Sequence, residues 1–162
     1  MKNITALILN LLLAGCVSVN IGGGGQAKHA QGVKFTEPGS PFTADKRSDV
    51  DAAWKNSANG NTISYLSDCQ DTSDPALDAV IQGTLTGLSD LKIEANSSPT
   101  VQGREARRVR AFGKVDGVGS KLDLLAFKRN QCIYILSYVG VSKTFEADHA
   151  HFDKFIAGFE AP

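Results

Sequence analysis

The stretch Ile133-Tyr134-Ile135-Leu136-Ser137-Tyr138-Val139 constrains this chain more than any other, because both of its alternating sets are largely apolar. Successive side chains of a strand point to opposite sides of a sheet. Ile133, Ile135 and Val139 therefore take one side and Tyr134, Leu136 and Tyr138 the other. A strand apolar on both sides belongs in the interior of a sheet, with cover above and below it.

The flanking sequence supplies that sheet. Arg104 to Val115 and Val118 to Lys128 read as strands joined by an Asp116-Gly117 turn. Arg129-Asn130-Gln131 turns the second of them into Ile133 to Val141, and Leu91 to Ala95 forms a shorter strand ahead of the three. Upstream, Ala52-Ala53-Trp54-Lys55 and Thr62 to Ser67 pair as a hairpin around Asn59-Gly60-Asn61, since Asn-Gly supplies the positive φ of a tight turn. Gly32-Val33-Lys34-Phe35 is a short opening strand, and the Thr36 to Asp49 stretch, holding Pro38 and Pro41, is a loop with room for one helical turn.

The cover comes from two amphipathic segments. Asp74 precedes Pro75, an arrangement suited to a helix start. Leu77, Val80, Ile81, Leu85 and Leu88 then recur at helical spacing until about Gly87. Near the C-terminus, Phe145, Phe152, Ile156 and Phe159 fall on one helical face. The prediction is an α+β fold of α/β/α sandwich type, a central antiparallel sheet with helices on both faces.

The N-terminus has the layout of an export signal: Lys2, an apolar run from Ile4 to Leu13, then the small residues Ala14 and Gly15. The run is too short to span a bilayer comfortably. Its end, Leu13-Ala14-Gly15-Cys16, resembles the bacterial lipobox, which implies cleavage before Cys16 and acylation of its thiol. Two or three acyl chains hold a protein on a membrane where one chain does so only marginally. Val17 and Ser18 follow without the aspartate associated with inner-membrane retention, which favours the outer membrane, facing the periplasm. Gly22-Gly23-Gly24-Gly25-Gln26 reads as a flexible tether whose root-mean-square span is about 20 Å. The expected division is a signal peptide over 1–15, a lipidated cysteine and tether over 16–31, and one globular domain over 32–162.

Beyond Cys16, the chain holds Cys69 and Cys132, an even pair in a protein expected in an oxidising compartment. Each lies at a strand end. A disulfide requires those ends to be neighbours in the sheet, and two buried thiols are the alternative. Neither cysteine has a CxxC or a nearby histidine that would suggest a metal site.

Charge and motifs narrow the function. Seventeen basic residues balance seventeen acidic ones, which argues against nucleic acid as a partner. Glu146, His149 and Asp153 have i, i+3, i+7 spacing and are the candidate metal ligands. Among Phe145, Phe152 and Ile156, however, His149 fits better as a partly buried histidine with a backbone partner, and His151 points about 200° away around the helix. Arg104, Arg107, Arg108 and Arg110, with Lys114, Lys121, Lys128 and Arg129, form a candidate basic patch. Strand alternation puts Arg107 on the other side with Glu105, and Asp116 and Asp123 dilute the charge, so a solvated edge is the simpler reading. No serine carries a GxSxG elbow, His29 lies in the tether, and no catalytic triad or cofactor motif is apparent.

The element order is similar to the fold shared by the photosystem-associated protein PsbP and the Ran-binding Mog proteins. Phe35 and Pro38 ahead of Pro41-Phe42, Trp54 before Asn61-Thr62-Ile63-Ser64-Tyr65, Gly103-Arg104-Glu105-Ala106, and Phe152-x-x-Phe155-x-x-x-Phe159 carry the resemblance over roughly residues 32 to 160. It implies a non-catalytic accessory or binding role, and neither photosystem nor GTPase binding transfers with it. The expected function is that of a non-enzymatic envelope lipoprotein, held to the membrane by acyl chains on Cys16, which docks an unidentified envelope protein or helps assemble a complex. The alternative is a small-ligand or metal-binding lipoprotein with a pocket near His149.

Overall fold

The computed structural model describes residues 28–47, 49–70 and 73–162. The expected signal segment, Cys16 and the glycine run lie outside the described residues. The elements are β1 (Thr43–Ala44), β2 (Ala52–Lys55), β3 (Thr62–Asp68), α1 (Leu77–Leu85), β4 (Ser89–Ser97), β5 (Thr100–Val101), β6 (Arg104–Val115), β7 (Val118–Arg129), β8 (Cys132–Val141) and α2 (Phe145–Ala157).

Strands β1, β2, β3, β8, β7, β6 and β4 follow one another across a single sheet, with β5 pairing β6 beyond the end of β4. Every pairing is antiparallel. β8 sits in the middle between β3 and β7, as its two-sided apolar pattern requires. Tyr134, Leu136 and Tyr138 join the core on one side, while Ile133 and Ile135 join the core on the other.

The turns follow local chemistry. Gln102-Gly103, Asp116-Gly117 and Asn130-Gln131 all have positive φ at both residues, the requirement of a two-residue hairpin whose twist matches its strands. β6, β7 and β8 are thereby locked into a meander in continuous register, from Ala106 opposite Phe127 to Val115 opposite Val118, and from Arg129 opposite Cys132 to Ser120 opposite Val141.

The expected α/β/α sandwich is not what the chain adopts. Among the described residues the sheet has eight strands and only two short helices accompany it, so the fold is sheet-dominated. α1 is nine residues long, about 13 Å of helix. Its Val80, Ile81 and Leu85 pack over Val109, Ala111, Leu122 and Leu124 of β6 and β7, and β4 remains exposed along its whole length. Amphipathic spacing correctly marks a segment with an apolar face, but spacing alone does not tell how much of a sheet that face can cover.

Several local expectations also change. The Gly32 to Phe35 segment makes only an isolated bridge, Lys34 with Glu160. Asp74 does not cap α1. Ala76 holds the cap position, and Asp74, at φ 50°, accepts a hydrogen bond from Lys128 at 2.6 Å.

α2 packs Phe145, Phe152 and Phe155 against Tyr138, Trp54 and Tyr65, and Phe159 just beyond its end closes on Phe127 and Tyr134. Two devices fix this side. Tyr138 donates its hydroxyl hydrogen to the Phe145 carbonyl at 2.6 Å. Gly140 leaves room for the Asn61 amide, since a Cβ there would come within 2.0 Å of Asn61 Oδ1.

Candidate functional site

β7 carries one acid inside an apolar run, Leu122-Asp123-Leu124-Leu125-Ala126-Phe127. Alternation turns Asp123 to the same side as Leu125 and Phe127, the side covered by α2. Register places Arg110 of β6 directly across from Asp123 and Arg108 across from Leu125. Partners across an antiparallel pair share a side, so both guanidinium groups converge on the carboxylate.

Asp123 is 2% exposed. Arg108 grips it with a two-pronged contact, Nε to Oδ1 at 2.9 Å and Nη2 to Oδ2 at 2.8 Å. His149 reaches the same Oδ2 from α2 at 2.7 Å. Asp153, one turn further along α2, accepts a second bond from Arg108 Nη2 at 2.6 Å. The Asp123 carboxylate, with Asp153 beside it, raises the proton affinity of Arg108 above its ordinary value although burial opposes this, so the guanidinium is a permanent charge.

Arg110 is held differently. Its Nη2 lies 2.8 Å from His149 Nε2, the atom that also faces Asp123. One ring nitrogen carries either a proton or a lone pair. His149 Nε2 can donate to Asp123 or accept from Arg110, but it cannot do both. Glu146 is the remaining acid near Arg110, at a loose 3.6 Å. Beneath the polar layer, Arg108 and Arg110 lie over the Phe152 and Phe145 rings at 5.7 and 5.6 Å.

Above these groups opens a cleft of about 300 Å³, walled by Ala95 and Ser97 of β4 and Asp153 of α2, with Arg108, Arg110, Asp123 and His149 as its floor. Its base is closed by fully buried Tyr138, Phe145 and Phe152. Asp123, Arg108 and His149 satisfy one another, while Arg110 shares its histidine nitrogen with Asp123 and reaches acids only at 3.6 and 3.7 Å.

The structure brings His149 and Asp153 to this cleft, where they face Asp123 and Arg108, and leaves Glu146 outside its lining, 3.6 Å from Arg110. Among the described residues, no three histidine, cysteine, aspartate or glutamate side chains are grouped to hold a metal ion. The partner of His149 is the Asp123 carboxylate. His151 instead faces the Pro38 carbonyl at 3.0 Å, and His29 lies 3.1 Å from Asp51. The remaining basic residues are mostly paired off: Arg107 with Asp78, Lys114 with Asp90, Lys121 with Glu94 and Lys128 with Asp74.

Sequence reasoning passed over two polar centres. In the sequence, Asp123 reads only as a charge diluting the basic residues. The available signal was an acid within a run otherwise fit for burial, which demands cationic partners. The second centre is Asp148, whose Oδ2 accepts amide bonds from Asn56, Asn59 and Asn61 at 2.9, 2.7 and 2.9 Å, tying the β2–β3 turn to α2. Three asparagines clustered in one turn were its signal.

Cys69 and Cys132 are joined by a disulfide. Asp68 pairs with Ile133, so the next residue on one strand meets the preceding residue on the other. The Cys69 amide also donates to the Lys28 carbonyl at 2.9 Å, bringing the incoming chain to this end of the sheet.

No family model matches the sequence, and no curated protein does. Solved structures share the fold. LpqN of Mycobacterium tuberculosis, described as involved in cell envelope biogenesis, is 12% identical with a TM-score of 0.60, over 80% of this chain and 83% of that one. PsbP of the cyanobacterium Synechocystis sp. PCC 6803 is 10% identical with a TM-score of 0.57, over 88% and 98%. A Pseudomonas aeruginosa protein of unknown function is 12% identical with a TM-score of 0.50, over 80% and 81%. The domain is PsbP-like in fold.

Proposed function

We propose that this chain is a non-enzymatic, lipid-anchored protein of the bacterial envelope that docks a protein partner through the cleft between β4 and α2. The observation that carries the reading is the self-sufficiency of the cleft floor. Asp123 is matched by Arg108 and His149, so the buried charge of the floor is compensated within the chain. What the cleft offers outward is Arg110, whose partners are a shared histidine nitrogen and two loose acids, Glu146 at 3.6 Å and Asp123 at 3.7 Å. A partner's carboxylate can replace them, and such contacts at a rim govern specificity and encounter more than raw affinity.

The likeness to an envelope-biogenesis protein supports the envelope setting. The lipobox supplies the anchor, and residues 17–18 favour the outer membrane. A small-ligand module is the second reading, favoured by the polar, convergent lining of the cleft.

A photocrosslinking residue at Ser97 in the native envelope, followed by mass spectrometry, tests the docking reading. A single abundant protein is expected from Ser97, absent when the probe sits instead at Gly117 and lost when Arg110→Glu is added. A Ser97 product other than a second copy of this chain that is unaffected by Arg110→Glu, or no such product at all, overturns docking at this cleft and favours the ligand reading.

A further inference from the structure

β4 is an edge strand with an open side. It pairs β6 along one edge and no strand along the other among the described residues. All nine of its residues are exposed, including Leu91 at 39% and Ile93 at 46%. The opposite edge of the sheet, β1, is only two residues long. A long exposed edge bearing apolar side chains is a template for a further strand.

The sequence of β4, Ser-Asp-Leu-Lys-Ile-Glu-Ala-Asn-Ser, points to the occupant. Read outward from Ile93, it matches Lys92 with Glu94, Leu91 with Ala95, Asp90 with Asn96 and Ser89 with Ser97. Two antiparallel copies related by a two-fold axis through Ile93 place each Lys92 opposite the other copy's Glu94, and the two Ile93 side chains opposite each other. An isologous interface requires this reciprocity.

The side-chain directions agree over the central three residues, while the register shift between Ile93 and Ala95 turns Ala95 to the α2 side with Arg110, so the pairing rests on Lys92, Ile93 and Glu94. Lys92 pairs with Phe112 in register, and Glu94 reaches Lys121 at 3.2 Å, itself the register partner of Phe112 on β7. Lys92 and Glu94 therefore share the α2 side of the sheet. Ile93 pairs with Ala111 and takes the α1 side. A two-fold axis normal to the sheet preserves sides, so the cross-strand ion pairs form on one and the isoleucine contact on the other.

The register is also selective. A slip of two residues sets Lys92 against Lys92, or Glu94 against Glu94, and like charges directly opposite are destabilising. Bulges and lysine on an edge ordinarily discourage pairing. β4 has two register shifts of its own against β6. Lys92 is neutralised only where the opposing strand offers an acid at one position, which excludes most strands and admits this one.

We propose that β4 is the interface of a two-fold symmetric dimer of this chain, formed by antiparallel β4–β4 pairing centred on Ile93. A single strand pair covers less than the roughly 800 Å² per partner of a standard interface, so the dimer is weak in solution.

Sedimentation equilibrium on the full chain carrying Cys16→Ser, from about 1 μM to about 1 mM, tests this. A concentration-dependent monomer–dimer equilibrium is expected. Lys92→Glu alone and Glu94→Lys alone should each weaken it at least about tenfold, whereas the double swap should restore it to within about threefold, because it regenerates the pairs with signs exchanged. As a second measurement, Ile93→Cys should form a disulfide-linked dimer under mild oxidation. A monomer across the whole range, or a dimer that the double swap fails to restore, overturns the proposal.

Discussion

Asp148 shows how one side chain can hold two elements together. Burial pushes its carboxyl up, but the amide bonds from Asn59, Asn56 and Asn61 together outweigh that effect and hold it below the ordinary aspartate value. A carboxylate with a depressed folded-state pKa contributes stability that is fully present above its unfolded value, about pH 4, and is lost as pH falls through the folded value. Asp148→Asn places an amide against three amide donors and should destabilise the domain at neutral pH by about 2 kcal/mol. Urea midpoints at pH 7 and about pH 3 provide the check: the wild type should lose more than the variant on acidification. Equal losses would mean that Asp148 is not a source of the acid sensitivity. The helical pattern places Asp148 three residues after Phe145, on the buried face, so a buried acid was legible there. Its partners lie some ninety positions upstream, and no local pattern connects such distant groups. Asp123 was hidden for the same reason. Its burial is written in β7, but Arg108 and His149 converge on it only through strand register and helix placement.

At the scale of elements, β8 was the most legible feature because a two-sided apolar strand has one place in a sheet. The β6–β7–β8 meander was nearly as clear, marked by polar or glycine-bearing turns with positive φ. β1 and β5 are two residues long and carry no periodicity to detect. The layer count failed because nine residues of α1 form a short plug over the inner strands. The disulfide belongs to this scale as well, since it staples β3 to β8 across a sequence separation of 63. Closing a loop of that size restricts the unfolded chain, and its removal should cost about 2–4 kcal/mol. Urea unfolding with and without dithiothreitol measures the effect, and Cys69→Ser/Cys132→Ser should match the reduced protein. A midpoint indifferent to reduction would show that the pairing of β3 with β8 needs no covalent help.

For the whole molecule, the proposed envelope setting raises the question of how the domain would be held at a membrane. No helix of the described residues is long and apolar enough to cross one. Among the described residues the exposed large apolar side chains, Leu91, Ile93, Val118 and Val141, lie on strands and are too few to anchor a domain by insertion. The basic residues are mostly paired with acids, leaving little field for headgroup attraction. The proposed attachment is therefore acylated Cys16, linked by about a dozen residues to Lys28 at the disulfide end of the sheet. Cys16→Ser should abolish acylation and give an exported protein that stays in the soluble fraction after a high-salt wash, whereas the wild type should sediment with membranes until detergent is added. The salt wash separates the two forces at work, since it screens charge within a few ångströms and leaves acyl insertion intact. If the Cys16→Ser protein still sediments after that wash, some other apolar contact holds it, and the acyl chains are not the principal attachment.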